Sequence, residues 1–139
     1  MPQLYTLSSL ALNPDGLPLY LHAEAFTMVG LVIVPGLPAH WEMRQEPVLG
    51  GGYMFVNAAS GGALVSPPNN PYVYVEQETM PSSRNTWTLM GDGDSKAICA
   101  GYNSNLVLNI AGNSWNTDSA LIVWPWDNQD NSKWRILPV

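Results

Sequence analysis

Basic residues are scarce: five Lys and Arg stand against eleven Asp and Glu in 139 residues, a net charge of −6. Such a surface repels phosphate backbones and lacks the basic footprint of a nucleic-acid binder. Cysteine occurs once, at Cys99. No intramolecular disulfide is open to the chain, which favours a reducing compartment over an oxidising one. No apolar run approaches the roughly 20 residues needed to span a bilayer, and Met1 to Leu12 has no basic segment followed by a long apolar one. The expectation is a protein without membrane insertion, cytoplasmic or exported without a conventional signal peptide.

Chemistry-bearing motifs are also sparse. The two histidines, His22 and His40, have no second His, Cys or clustered carboxylate at ligand spacing, so no metal or other cofactor is expected. Gly91-Asp92-Gly93-Asp94-Ser95 lacks the acidic spacing and closing Glu of a calcium loop and reads as a turn. No Gly-x-Ser-x-Gly elbow, phosphate-cradling loop or His-Glu-x-x-His helix is present, so the chain reads as a non-enzyme. Cys99, between Ile98 and Ala100, reads as a buried thiol.

What is abundant is turn chemistry between short β-rich runs. Twelve Gly and twelve Pro are scattered along the chain, and no dozen-residue window holds helical periodicity free of them. Charged residues are 12% and hydrophobic residues 46% of the chain, a balance suited to an all-β protein with polar loops. Four strands are expected at Leu4 to Leu7, Leu17 to His22, Leu31 to Val34 and Trp41 to Arg44. Four more fall at Tyr53 to Ala58, Ala63 to Ser66, Tyr72 to Val75 and Thr86 to Met90. The last four are Lys96 to Ala100, Asn105 to Ile110, Ala120 to Trp124 and Lys133 to Leu137.

Each set of four closes on a tryptophan followed two residues later by an apolar residue. Trp41, Trp87 and Trp134 lie 46 and 47 residues apart, a near-constant interval for a rare residue. Three four-stranded units are too few for a propeller ring. The pattern predicts a β-trefoil, six barrel strands capped by three hairpins with pseudo-three-fold symmetry. The three tryptophans would pack in its core, each burying on the order of 200 Å². One domain over 1–139 is expected, with repeats at about 1–47, 48–92 and 93–139.

Within Asn105 to Leu137 a more particular pattern stands out. It comprises Leu108-Asn109-Ile110, Gly112-Asn113, Leu121-Ile122-Val123-Trp124-Pro125, Asp127-Asn128-Gln129-Asp130-Asn131 and Ser132-Lys133-Trp134. This succession resembles one repeat of the ricin-B lectin family: a strand with an Asp, a Gly turn, a strand ending in an aromatic and Pro, an Asn-rich loop and Gln-x-Trp. Asn109 stands in place of the Asp, Ser132 in place of the Gln, and Ile122 where members often carry a polar contact. Val34-Pro35 in the first repeat and Val75 in the second read as the counterparts of Trp124-Pro125.

The resemblance implies a carbohydrate-binding protein for galactose or GalNAc-type glycans. Trp124 would be the stacking platform and Asn131 the amide, with Asn109 in place of the carboxylate. Trp115, Asp127 and Asn128 read either as further contacts or as packing and turn chemistry, and Trp126 as a loop indole of the same two meanings. It also implies glycan or glycoprotein partners, association of identical chains into a dimer, and a defence role like that of cytoplasmic fungal lectins. A second class is a β-trefoil protease inhibitor, using an exposed loop such as Gly50-Gly51-Gly52 or Pro67 to Pro71.

Overall fold

The computed structural model describes residues 2–46, 52–77, 80–91, 93 and 95–139. All twelve expected strands form: β1 (Leu4–Leu12), β2 (Pro18–His22), β3 (Gly30–Val32), β4 (Trp41–Glu46), β5 (Gly52–Asn57) and β6 (Ala63–Val65). They continue as β7 (Tyr74–Glu76), β8 (Trp87–Met90), β9 (Ala97–Ala100), β10 (Asn103–Ile110), β11 (Leu121–Pro125) and β12 (Trp134–Pro138). The period-2 pattern explains each locally. In β2, Leu19 and Leu21 are wholly buried while Pro18, Tyr20 and His22 between them are only partly covered.

Six strands make the barrel. β1 pairs with β4, β4 with β5, β5 with β8, β8 with β9, and β12 with β1, all antiparallel. A bridge between Lys96 and Trp134 joins the start of β12 to the residue before β9 and closes the ring. The remaining strands form the hairpins β2–β3, β6–β7 and β10–β11. The hairpins are stitched together at one end: the Val29 N–H donates to the Val73 carbonyl, and the Val73 N–H to the Leu121 carbonyl. Val29, Val73 and Leu121 are buried there. This is the β-trefoil that the spacing of the tryptophans predicts.

The three tryptophans occupy equivalent places. Trp41, Trp87 and Trp134 are each 0% exposed and belong to one apolar cluster. Their indole N–H groups donate to the carbonyls of Leu21, Leu64 and Leu108 at 3.1, 3.1 and 3.0 Å. A buried indole N–H without a partner would cost about 1–3 kcal/mol, and a carbonyl from the second strand of each unit removes that cost. Because the three bonds are equivalent, they also align the units residue by residue.

That alignment corrects one expectation. Leu21, Leu64 and Leu108 face Leu31, Val75 and Val123 across their hairpins, so the counterparts of Trp124 are Val32 and Glu76 rather than Val34 and Val75. β3 ends at Val32 and never reaches Val34, which is 77% exposed in the bend before Pro35. The residue before proline is held extended, and here it has no partner strand.

Gly101, in the turn between β9 and β10, lies where backbone segments touch. A Cβ there would stand 2.5 Å from the Thr86 carbonyl oxygen and Oγ1, and 3.0 Å from the Ser83 carbonyl oxygen. Gly101→Ala is expected to cost about 1–3 kcal/mol through overpacking. A lowered urea midpoint with an unchanged slope would register it.

Candidate functional site

Hairpin β10–β11 and the 3-10 turn Asp130–Ser132 enclose a depression of about 450 Å³ in the third unit. Its floor is Asn109 of β10 and Ile122 of β11, directly opposite each other across the hairpin. Trp124 follows Ile122 on the same face of β11 and leaves 53% of its surface open. Ala111, Gly112, Asn113 and Trp115 line it from the loop after β10, and Asp127, Gln129 and Asn131 from the loop after β11.

Trp115 both lines the depression and packs on the core. Its indole N–H donates to the Gly112 carbonyl at 3.1 Å, fixing the ring by a local bond. Gly112 has φ 95°, a left-handed conformation that glycine adopts at little cost and that lets the chain turn back toward Trp115.

The polar side is a connected chain. Asn131 Nδ2 donates to the Ile110 carbonyl at 2.9 Å and, at 3.5 Å, to Asn109 Oδ1. Asn109 Nδ2 donates to Ser132 Oγ at 2.7 Å, and Ser132 Oγ donates onward to Asp127 Oδ1 at 3.3 Å. Asp127 Oδ1 also accepts the Gln129 N–H at 3.1 Å. Asn109 and Ser132 therefore touch. An amide at 109 brings a donor that a carboxylate would not, and the serine hydroxyl accepts it. A negative charge stands at Asp127, at the end of the same chain of hydrogen bonds. One atom stands apart: Asn131 Oδ1 is buried and accepts no hydrogen bond. An unpartnered buried acceptor costs about 1–3 kcal/mol, and this one belongs to a residue lining a depression open to solvent.

Six of the seven sequence-predicted residues thus line one depression: Asn109, Trp115, Ile122, Trp124, Asp127 and Asn131. Asn128 does not join them. It lines a separate hollow with Met90, Gly91, Ser95, Ala97, Trp126 and Lys133. Along the loop, Trp126 and Asn128 line this hollow while Asp127 and Gln129 line the first, so the segment is a partition between the two. That alternation is the signal that could have found Gln129 and set Asn128 aside.

The other two units lack the constellation. The counterparts of Asn109 are His22 and Val65, and those of Asn131, three residues before each core tryptophan, are Pro38 and Arg84. In the second unit Arg84 Nη2 lies 3.0 Å from Oε1 of Glu76, so an ion pair stands where the third unit has Asn131 and Trp124. In the first unit His22 Nε2 lies 3.6 Å from Glu24 Oε1.

Among the described residues no group of three or more His, Cys, Asp or Glu could hold a metal ion, and no helix is long and apolar enough to cross a membrane. Gly50 and Gly51, and Asp92 and Asp94, named above for an inhibitory loop and a calcium-like turn, lie outside the described residues. Pro67 to Pro71 is folded into a turn closed by the Asn70 N–H on the Pro67 carbonyl at 3.3 Å, with Pro67 buried and Pro68 to Pro71 exposed. Cys99 is fully buried, and burial pushes its thiol pKa up against the smaller opposing pull of a Thr88 hydrogen bond. A raised pKa leaves little thiolate at neutral pH. Native protein is therefore expected to react with a thiol reagent such as DTNB far more slowly than urea-unfolded protein.

The sequence matches no protein-family model and no curated protein. Solved structures do resemble the fold. A designed three-fold symmetric protein, ThreeFoil, superposes with a TM-score of 0.82 at 18% identity, covering 98% of this chain and 99% of that one. The Rhizoctonia solani agglutinin gives 0.76 at 20% identity over 100% and 97%. The C-terminal half of an earthworm R-type lectin, in complex with GalNAc, gives 0.73 at 13% identity over 99% and 100%. Other neighbours are larger, and this chain spans 17% of a mosquitocidal holotoxin and 32% of a Clostridium perfringens endo-β-galactosidase. At these identities the likeness is one of fold, and the class it defines is the β-trefoil.

Proposed function

We propose that this chain is a non-catalytic carbohydrate-binding protein, one domain of three lobes at about 1–47, 48–92 and 93–139, that takes a sugar ring into the depression of the third. The observation that carries the reading is the exposed Trp124 indole in a depression that Asp127 and Asn131 also line. A pyranose offers partners for such a lining: hydroxyl groups on its rim for the polar side and an apolar C–H face for the ring. Asp127 adds a charged acceptor, and a hydrogen bond to a carboxylate is about twice as strong as one between neutral groups. Galactose or GalNAc is the sugar we propose, in keeping with the third-unit sequence pattern and with the GalNAc held by the earthworm neighbour.

The carboxylate inventory supports a binder over a hydrolase. Glycosidases of the usual kinds flank the scissile bond with two carboxyl groups. Among the described residues, Asp127 is the one carboxylate lining the depression. With an ion pair in the second unit and Val32 and Pro38 in the first, we read the third site as the chain's principal one. A glycan array probed with wild-type protein and with Trp124→Ala tests this. Saccharide signal from the first and not the second is expected, and an array blank for wild type would end the proposal.

A further inference from the structure

The floor of the depression does not stop at Ile122. Tyr72, from the second unit, forms an isolated antiparallel bridge with Ile122, whose other flank is Asn109. Residues directly opposite across antiparallel strands project to the same face with Cβ atoms about 4.5–5.5 Å apart. Asn109, Ile122 and Tyr72 are therefore one row, and the third member lies just outside the depression with 44% of its surface open.

The backbone under Tyr72 is tied down on both sides. The Val123 N–H donates to the Pro71 carbonyl at 2.9 Å, the Val73 N–H to the Leu121 carbonyl at 3.2 Å, and the Tyr72 N–H to Asn70 Oδ1 at 3.0 Å. The phenol is thus carried on an ordered segment, which limits the entropy lost when something packs on it. Packing within the fold does not ask for an aromatic here. Met28 makes the corresponding bridge, to Tyr74, and Ala120 holds the corresponding place in the third unit. Met, Tyr and Ala serve equally as structure, and only the tyrosine borders the sugar depression.

We propose that Tyr72 is a second aromatic platform, and that the ligand is an oligosaccharide whose first ring lies on Trp124 and whose next ring crosses Ile122 onto Tyr72. The proposal rests on the third-unit sugar site above and adds that the protein reads a glycosidic linkage across two repeats. A monosaccharide would fill the depression without reaching the tyrosine.

The test compares wild type, Tyr72→Ala, Tyr72→Phe and Trp124→Ala on an array of monosaccharides and di- to hexasaccharides. Calorimetry with the strongest oligosaccharide and with its terminal monosaccharide follows. Tyr72→Ala is expected to weaken the oligosaccharide roughly three- to ten-fold, the range of one aromatic contact, with the monosaccharide Kd unchanged. Tyr72→Phe, which keeps the ring, is expected to stay near wild type. Equal losses for both ligands, or none for the oligosaccharide, would overturn the second platform while leaving the Trp124 site standing. Binding that survives in Trp124→Ala, or no glycan signal from wild type, would overturn both. Unchanged melting of Tyr72→Ala excludes a folding explanation.

Discussion

Trp124→Ala will fold like the wild type and lose glycan binding by roughly thirty-fold or more, equivalent to about 2 kcal/mol, the scale of a tryptophan anchor at a binding surface. Both halves follow from where the indole sits. With 53% of its surface open, it contributes little to the core, and surface substitutions usually stay within about 0.5 kcal/mol. Trp124→Phe should recover part of the affinity, since a smaller ring still offers a face. Thermal unfolding read beside calorimetric titration checks the pair. A variant that keeps its affinity would remove the stacking platform from the site, whatever else binds there.

Trp87→Ala is expected to do the reverse, costing about 3–5 kcal/mol of stability. Trp87 is 0% exposed, and truncation leaves both a cavity and a Leu64 carbonyl without its indole donor. Small domains hold only about 5–15 kcal/mol in all, so the loss would shift the urea midpoint far and could empty the native state near body temperature. Trp87→Phe separates the two causes, because it fills much of the volume yet leaves the carbonyl unpaired. Trp41 and Trp134 make the same bond from equivalent places, and alanine there should cost a similar amount. A cost below about 1 kcal/mol at any of the three would contradict the shared core.

Those tryptophans are also why the architecture was legible in the sequence. A rare, bulky residue at intervals of 46 and 47 positions leaves few alternatives to three-fold repetition, and strand alternation filled in the rest. The site was legible where residues are close in sequence, as in Ile122 and Trp124 on one face of β11 or the loop around Asp127. It was obscure where the fold brings distant segments together. Val34-Pro35 looks like Trp124-Pro125 because both end an apolar run at a proline, yet only pairing with β2 fixes the register. Asn128, with φ 61°, looked like its neighbours in an amide-rich loop, and only the alternation of the folded segment turns it to the other hollow. The contact between Asn109 and Ser132, 23 residues apart, is invisible to a reading that takes positions singly. Tyr72 lies 50 residues from Ile122 and no local pattern links them.

The Arg84–Glu76 ion pair has a consequence for valency. With that pair in the second unit and a valine and a proline at the corresponding places in the first, the sugar site proposed here stands once in each copy. A univalent particle can coat a cell, but it cannot clump cells together. Clumping of erythrocytes by this protein would therefore require two copies to travel as one, and its presence or absence would report on self-association.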